Sequence, residues 1–204
     1  MKDKLISMDY AEYYEEAGLR RANELKEAGK IDEAITECNR VISRNPSNSV
    51  AYELVGDCFL VQHEYEKAGK ALKYGVKLSP DSANMNYLLG FLHSALRHWP
   101  SSVKYLSKSN DAFPNNAEIL RCLGWSVFHK GEEENGIAML CRARAMFVKD
   151  VGREDVWTLM DLAVTYMTSY RLKEAKPIVE EILKIEPDNE VAKSMLEAIK
   201  QFNS

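Results

Sequence analysis

The sequence predicts an all-α fold built from consecutive antiparallel helix pairs, and three observations carry that prediction. β-Branched residues do not gather into alternating runs, whereas Ala, Leu, Glu and Lys are abundant, which favours helix over strand. Prolines 46, 80 and 114 stand 34 residues apart in the similar phrases SRNPSNS, KLSPDSA and DAFPNNA, and KIEPDNE follows around Pro187. Small residues keep the same step, with Gly56, Gly90 and Gly124 in one series and Ala34, Ala68, Ser102 and Gly136 in another. A fixed period of this length marks a repeated supersecondary unit.

The period has a physical cause. Two antiparallel helices pack closely only where small residues sit at the backbone crossing, as Gly56 and Ala68 do within one pair. Proline lacks an N–H and disfavours helix in the residue before it, so each Pro stops the second helix of a pair. The Asn or Asp that follows is placed to cap the next helix. One pair cannot bury its apolar faces alone, and neighbours must complete the core.

Taken in order, residues 1–14 read as a lead-in or a first cap, and 15–48 and 49–82 as the first two helix pairs. The third pair, 83–116, contains YLLGFLHSALRHW (87–99), which reads as one helix with two apolar stripes. Leu89, Leu92 and Leu96 recur at core-facing spacing, whereas Tyr87, Leu88 and Phe91 point elsewhere. Pro100 fits the first turn of this pair's second helix, where its missing donor costs little. The fourth pair, 117–150, has Val148 where proline would stand, so its second helix is expected to run on through CRARAMFVKD. The VGRED insertion then ends it, which predicts a local change in stacking at 149–156 before a fifth pair at 156–189. A closing helix at 190–204 carries Val191, Met195, Leu196 and Ile199 on one stripe, with Glu, Lys and Gln elsewhere.

These residues resemble the tetratricopeptide repeat. The second repeat fits best, through Tyr52, Val55-Gly56, Phe59, Tyr65, Ala68, Leu72, Gly75 and Pro80. The first offers Ala22, Leu25, Ala34, Val41 and Pro46, and the third Leu89-Gly90, Trp99, Leu106 and Pro114. The fourth offers Leu123-Gly124, Gly136, Leu140 and Ala143, and the fifth Leu159, Leu162-Ala163, Tyr166, Ala175, Ile182 and Pro187. His93 and Val127 depart from the motif's tyrosine. The resemblance implies a right-handed superhelical solenoid of five repeats with a C-terminal capping helix.

It further implies that the first helix of each pair lines a concave groove. In that register fall Glu16, Leu19, Arg20, Asn23, Lys26 and Glu27, then Val50, Glu53, Leu54, Asp57, Leu60 and Val61, then Asn84, Tyr87, Leu88, Phe91, Ser94 and Ala95. Glu118, Arg121, Cys122, Trp125, Phe128 and His129 follow from the fourth repeat, and Trp157, Met160, Asp161, Val164, Met167 and Thr168 from the fifth. The aromatic and apolar members set the expected peptide-binding groove at Tyr87, Leu88, Phe91, Arg121, Trp125, Phe128, Trp157, Met160 and Met167. A contiguous exposed patch of this kind is unusual for a monomer. Repeat domains that clamp a C-terminal carboxylate use a fixed set of Lys, Asn and Arg at these positions. Only Asn23 matches that set, so an acidic C-terminal tail is excluded as the ligand.

Composition narrows the rest. A net charge of -4 argues against phosphate-backbone binding, so no nucleic-acid partner is expected. No stretch approaches the roughly 20 apolar residues of a membrane span, and the opening MKDKLISMDYAEYYEE lacks a signal-like apolar core. Cys38, Cys58, Cys122 and Cys141 lack metal spacing and read as small buried hydrophobes in a reduced, cytoplasmic setting. His63, His93, His98 and His129 form no ligand pair, and no phosphate loop or nucleophile motif is present. No cofactor, metal or catalytic residue is therefore expected. The sequence reads as a non-enzymatic scaffold or adaptor, chaperone-like in holding an apolar peptide or helix of a protein partner. The alternative is a self-assembling homo-oligomer whose groove takes residues 1–14 or another copy of the chain.

Overall fold

The computed structural model describes residues 10–202, which form eleven α-helices and no strand. In chain order these are α1 (Tyr10–Glu27), α2 (Ile31–Arg44), α3 (Ser49–Val61), α4 (Tyr65–Leu78), α5 (Ala83–Ala95) and α6 (Trp99–Ala112). They are followed by α7 (Ala117–His129), α8 (Glu133–Val151), α9 (Val156–Thr168), α10 (Leu172–Ile185) and α11 (Glu190–Phe202). Of the expected lead-in, residues 1–9 lie outside the described residues.

Each helix pair is closed by a turn that repeats with the sequence period. Gly29, His63, Arg97, Gly131 and Tyr170 all take the left-handed conformation, with φ of 75°, 58°, 57°, 104° and 57°. The next residue donates its N–H back five residues: Lys30 to Leu25, Glu64 to Phe59, His98 to His93, Glu132 to Val127 and Arg171 to Tyr166, at 2.8–3.1 Å. These are Schellman closures, which satisfy carbonyls left open at the end of the first helix. Three of the five turns use a residue with a Cβ at a conformation that glycine adopts without strain.

The connection from one pair to the next is equally regular. Side chains of Asn48, Asn116, Asp155 and Asn189 accept from the N–H groups of Ala51, Ile119, Thr158 and Ala192 at 2.8–3.0 Å. Ser82 does the same for Met85 at 3.2 Å. Four of these caps stand two residues after a proline, and Asp155 performs the task where the proline is missing.

Two compact units make up the chain, Met1–Leu92 and His93–Ser204. In the first, Ala22, Cys38 and Val55 form a core against Ile42, Leu54, Phe59 and Ala71. Leu72 fills the crossing of α3 and α4: a Cβ on Gly56 would stand 2.4 Å from its side chain. Met85 of α5 packs in the same way onto Gly75. In the second unit, α7 and α8 cross most tightly. A Cβ on Gly136 would lie 2.5 Å from the Phe128 nitrogen and 2.7 Å from the Gly124 carbonyl oxygen. A second core gathers Leu140, Leu159, Leu162, Val179, Ile182 and Ile199, on which Met195 and Leu196 of α11 also pack.

The structure corrects four readings. The stretch 87–99 is not one helix: α5 ends at Ala95, and Arg97 turns the chain into α6. Leu96 therefore leaves the core stripe and is exposed. Val191 is likewise exposed, because α11 rests on α10 through Ala192 and Ile199. Cys141 lies on the open side of α8, whereas the other three cysteines are buried. Pro100 does occupy the first turn of α6. The expected extension of α8 is present as well: it runs 19 residues, against 14 for α2, α4, α6 and α10. Gly152, left-handed at φ 73°, stops it.

Three substitutions probe this framework. Gly136→Ala forces the α7–α8 backbones apart and should destabilise by about 2 kcal/mol or more despite alanine's helix preference. Gly69→Ala, whose Cβ would meet only Leu92 at 3.4 Å, should be neutral or stabilising in the same urea melts. Tyr170→Gly relieves a left-handed turn at an exposed site and should add about 0.5–1 kcal/mol.

Candidate functional site

In the first unit, successive first helices present one face to a common cleft of about 190 Å³. Leu19, Asn23 and Lys26 come from α1, Val50, Glu53, Leu54 and Asp57 from α3, and Asn84 and Leu88 from α5. All nine belong to the groove register read from the sequence. Leu19, Val50, Leu54 and Leu88 supply the apolar wall, and the polar residues tie the helices together. Lys26 Nζ donates to Asp57 Oδ2 at 2.6 Å, and Asn84 Nδ2 donates to Glu53 Oε1 at 2.5 Å. Ser82 adds a hydrogen bond to the other Glu53 oxygen at 3.1 Å. The charges along this wall are thus largely engaged within the protein, and the surface left for a ligand is aliphatic and amide-rich.

In the second unit, α7 and α9 are joined on the corresponding face by Arg121. Its Nε and Nη2 donate to the two Glu118 oxygens at 3.0 and 2.6 Å, and Nη1 donates to Asp161 Oδ2 at 2.5 Å. Burial works against the guanidinium charge, but its hydrogen bonds to Glu118, and charges including Asp161, hold its pKa above the ordinary value. Burial pushes the Asp161 carboxyl up to about 6, with Arg121 pulling the other way. Arg121 was expected to contact a ligand. Its donors instead form the tie between neighbouring first helices, as Lys26 does in the first unit.

Behind this bridge lies an aromatic cluster around His129. Its ring stacks on Trp99 at 4.7 Å and meets Trp125 and Phe128 edge-on at 4.2 and 5.2 Å. Burial, reinforced by the charge of Arg97, lowers the His129 pKa.

The other expected groove residues separate into three kinds. Leu88 and Phe128 are buried. Phe128 sits in the α7–α8 crossing, its backbone nitrogen and Cβ pressed against Gly136. Met160 and Met167 are half-buried against the second unit's core. Tyr87 and Trp125 are half-buried, with Tyr87 6.5 Å from the Phe91 ring, and Phe91 is exposed. Trp157 is 72% exposed and lines a second cleft, formed around the 149–156 insertion. The expected set centres on aromatic and apolar residues from Tyr87 onward. It passed over the aliphatic wall of the first unit, which the same register had already marked. Among the described residues, no group of His, Cys, Asp and Glu could hold a metal ion, and no helix is long and apolar enough to cross a membrane.

Stacked helix pairs with a cleft on the first-helix face define a helical-repeat interaction fold. The sequence model of the tetratricopeptide-repeat family matches residues 19–83. TPR repeat-containing protein PA4667 of Pseudomonas aeruginosa is 24% identical over 179 residues, covering 86% of this chain and 29% of its own length. The chain spans less than a third of the length of the curated relatives it matches. Among solved structures, YrrB, described as a TPR protein with an unusual peptide-binding site, aligns with a TM-score of 0.66 at 18% identity, over 90% of this chain and 97% of its own. The Cut9–Hcn1 hetero-tetramer structure aligns with a TM-score of 0.80 at 17% identity, over 93% of this chain and 37% of the matched one. By these findings residues 19–83 carry tetratricopeptide repeats, and the described helices have the tetratricopeptide-repeat fold.

Two measurements follow from the second unit. Removing one partner of a part-buried ion pair strands the other, so Arg121→Leu should cost about 3 kcal/mol or more in chemical denaturation. The lowered His129 pKa means that the unfolded chain takes up a proton before the folded one does. Its contribution is complete above about pH 6.5, the ordinary histidine value, and is lost as pH falls below it. Between pH 7.5 and 5.5 the protein should therefore lose stability relative to His129→Phe, which keeps an aromatic ring and cannot titrate. Parallel pH–stability curves for the two proteins would refute this.

Proposed function

We propose that this protein is a non-enzymatic interaction module, an adaptor that holds an apolar peptide segment of a protein partner on the first-helix face. The observation that carries the reading is the first-unit cleft, where α1, α3 and α5 contribute side chains to one concavity. Its volume of about 190 Å³ corresponds to roughly six water molecules, room for one large apolar side chain. Leu19, Val50, Leu54 and Leu88 are the wall for such an anchor. Asn23 and Asn84 stand at its edges, donating from their amide nitrogens to Glu27 and Glu53 respectively, which leaves the amide oxygens to accept from a peptide N–H. Lys26 is committed to Asp57, so a ligand carboxylate would have to break an existing ion pair to bind there. That supports an internal or neutral segment rather than an acidic terminus.

Tyr87, Phe91, Trp125 and Trp157 remain in this proposal as further contact residues, each within its own unit. The buried thiols of Cys38, Cys58 and Cys122, none of them in a disulfide, suit a reducing compartment, and we assign the module to the cytoplasm.

Selection of phage-displayed random 12-residue peptides against the full chain tests the proposal. Selected peptides, resynthesised and measured by calorimetry, should bind with micromolar affinity and carry a shared large apolar residue. Val50→Glu, at an exposed rim position, should weaken them at least tenfold, or about 1.4 kcal/mol, with the helical circular dichroism unchanged. Peptides that bind the Val50→Glu protein as well as the original would place recognition elsewhere.

A further inference from the structure

The five-residue lengthening of α8 builds a surface that the repeat period does not require. α8 continues to Val151, Gly152 reverses the chain, and Arg144 reaches back to hold both oxygens of Glu154. Asp155 then fixes the start of α9, accepting from the backbone N–H of Thr158 at 2.8 Å and from its hydroxyl at 2.7 Å. The loop is thus held by an ion pair and a helix cap.

Between it and the last turn of α10 lies a cleft of about 560 Å³. Its apolar lining is Phe147, Val151, Val156, Trp157 and Ile185. Val151, Trp157 and Ile185 are 58%, 72% and 44% exposed, so three large hydrophobic side chains stand open around one concavity. Scattered apolar residues are normal on a surface, but a cluster around a cleft marks an interaction site. Trp is also among the residue types that most often anchor interfaces. The walls are too open to enclose a small molecule, which ordinarily buries most of its surface in a pocket. They suit a segment laid across them.

The rim carries Glu154, Asp155, Glu181 and Glu186, against Arg153 alone among the lining cations. Arg144 compensates Glu154 and Lys184 donates to Glu181 at 2.9 Å, but the rim keeps a negative excess. We propose that this cleft is a second docking site, distinct from the first-unit cleft, for a cationic amphipathic segment of a partner protein. The segment places a bulky apolar side chain against Trp157, Val151 and Ile185, with a flanking Lys or Arg facing Glu186. Charge complementarity selects the partner and steers its approach, and the apolar floor holds it.

Two fluorescein-labelled 12-residue peptides with the same leucine positions, one with lysine and one with glutamate between them, test this by anisotropy on the full chain. The lysine peptide should bind at micromolar concentration, at least tenfold more tightly than the glutamate peptide, and weaken as salt is raised. Trp157→Ser and Glu186→Lys should each reduce its binding at least tenfold. Glu24→Lys on α1 should not, which separates this site from general attraction to an acidic protein. Val50→Glu should also leave it unchanged, so this proposal and the first-unit peptide site fail or stand independently. Equal binding of the two peptides, binding that survives Trp157→Ser, or no binding would overturn the inference. So would sedimentation showing a dimer that Trp157→Ser dissolves, since the occupant would then be a second copy of the chain.

Discussion

Each helix pair in this protein closes on a residue too small to hold its helices apart. Ala34, Ala68, Ser102, Gly136 and Ala175 are all buried, and where the residue is glycine the opposing backbone is almost in contact. Tight crossing makes the pair a rigid slab with apolar residues left over on its faces. Those faces can be buried only by the next slab, which is why caps and turns must recur in register. A single displaced turn would misalign the stripes of the following pair. The left-handed turns at His63, Arg97 and Tyr170 show that this constraint outranks local preference, since each accepts a conformation that glycine would adopt more readily.

The same stacking dictates what the first-helix face has to offer a ligand. Adjacent first helices must be held at fixed separation, and the residues available for that task lie on the face itself. Lys26 with Asp57, Asn84 with Glu53, and Arg121 with Glu118 and Asp161 all serve it. Each tie consumes donors that would otherwise be open to a partner. Recognition then falls to aliphatic side chains and amides, which bind segments by shape and apolar burial more than by charge. For a peptide anchored by one or two side chains, the gain is offset by the lost freedom of both partners, so moderate affinity is the natural outcome.

Much of this architecture was legible in the sequence because it is periodic. The proline step, the small-residue series and the capping Asn residues locate helix pairs without reference to any one residue's preference. The missing proline at Val148 and the five added residues likewise foretold a longer α8. What escaped was set by side chains across a crossing or by a turn with no glycine. Leu96 continues a helical stripe in sequence, yet Arg97 takes the left-handed turn and strands it outside. Phe128 holds a groove position in register, but it is buried, its backbone nitrogen and Cβ pressed against Gly136 in the α7–α8 crossing. In the candidate site, Trp and Met stand out in the sequence as anchors, whereas the cleft of the first unit is lined by Leu and Val, whose significance depends on three helices converging.

The insertion shows what happens when the period is broken without losing the stack. Five extra residues can be absorbed by lengthening a helix or by swelling a loop, and here the helix takes all of them: α8 has 19 residues against 14, and four residues join α8 to α9 as they do the other pairs. Extending α8 adds a further turn bearing Val148 and Val151, which no neighbouring pair is in register to cover. Gly152 and the Arg144–Glu154 pair then return the chain to the next cap, so α9 and α10 resume the ordinary pattern. The uncovered turn, the exposed Trp157 at the start of α9 and the end of α10 are thus left facing a common space. An apolar surface created this way costs solubility unless something offsets it, and the carboxylates around it do so in the absence of a partner. Those carboxylates also give the surface its charge preference, so one device both keeps the cleft soluble and determines what can dock there.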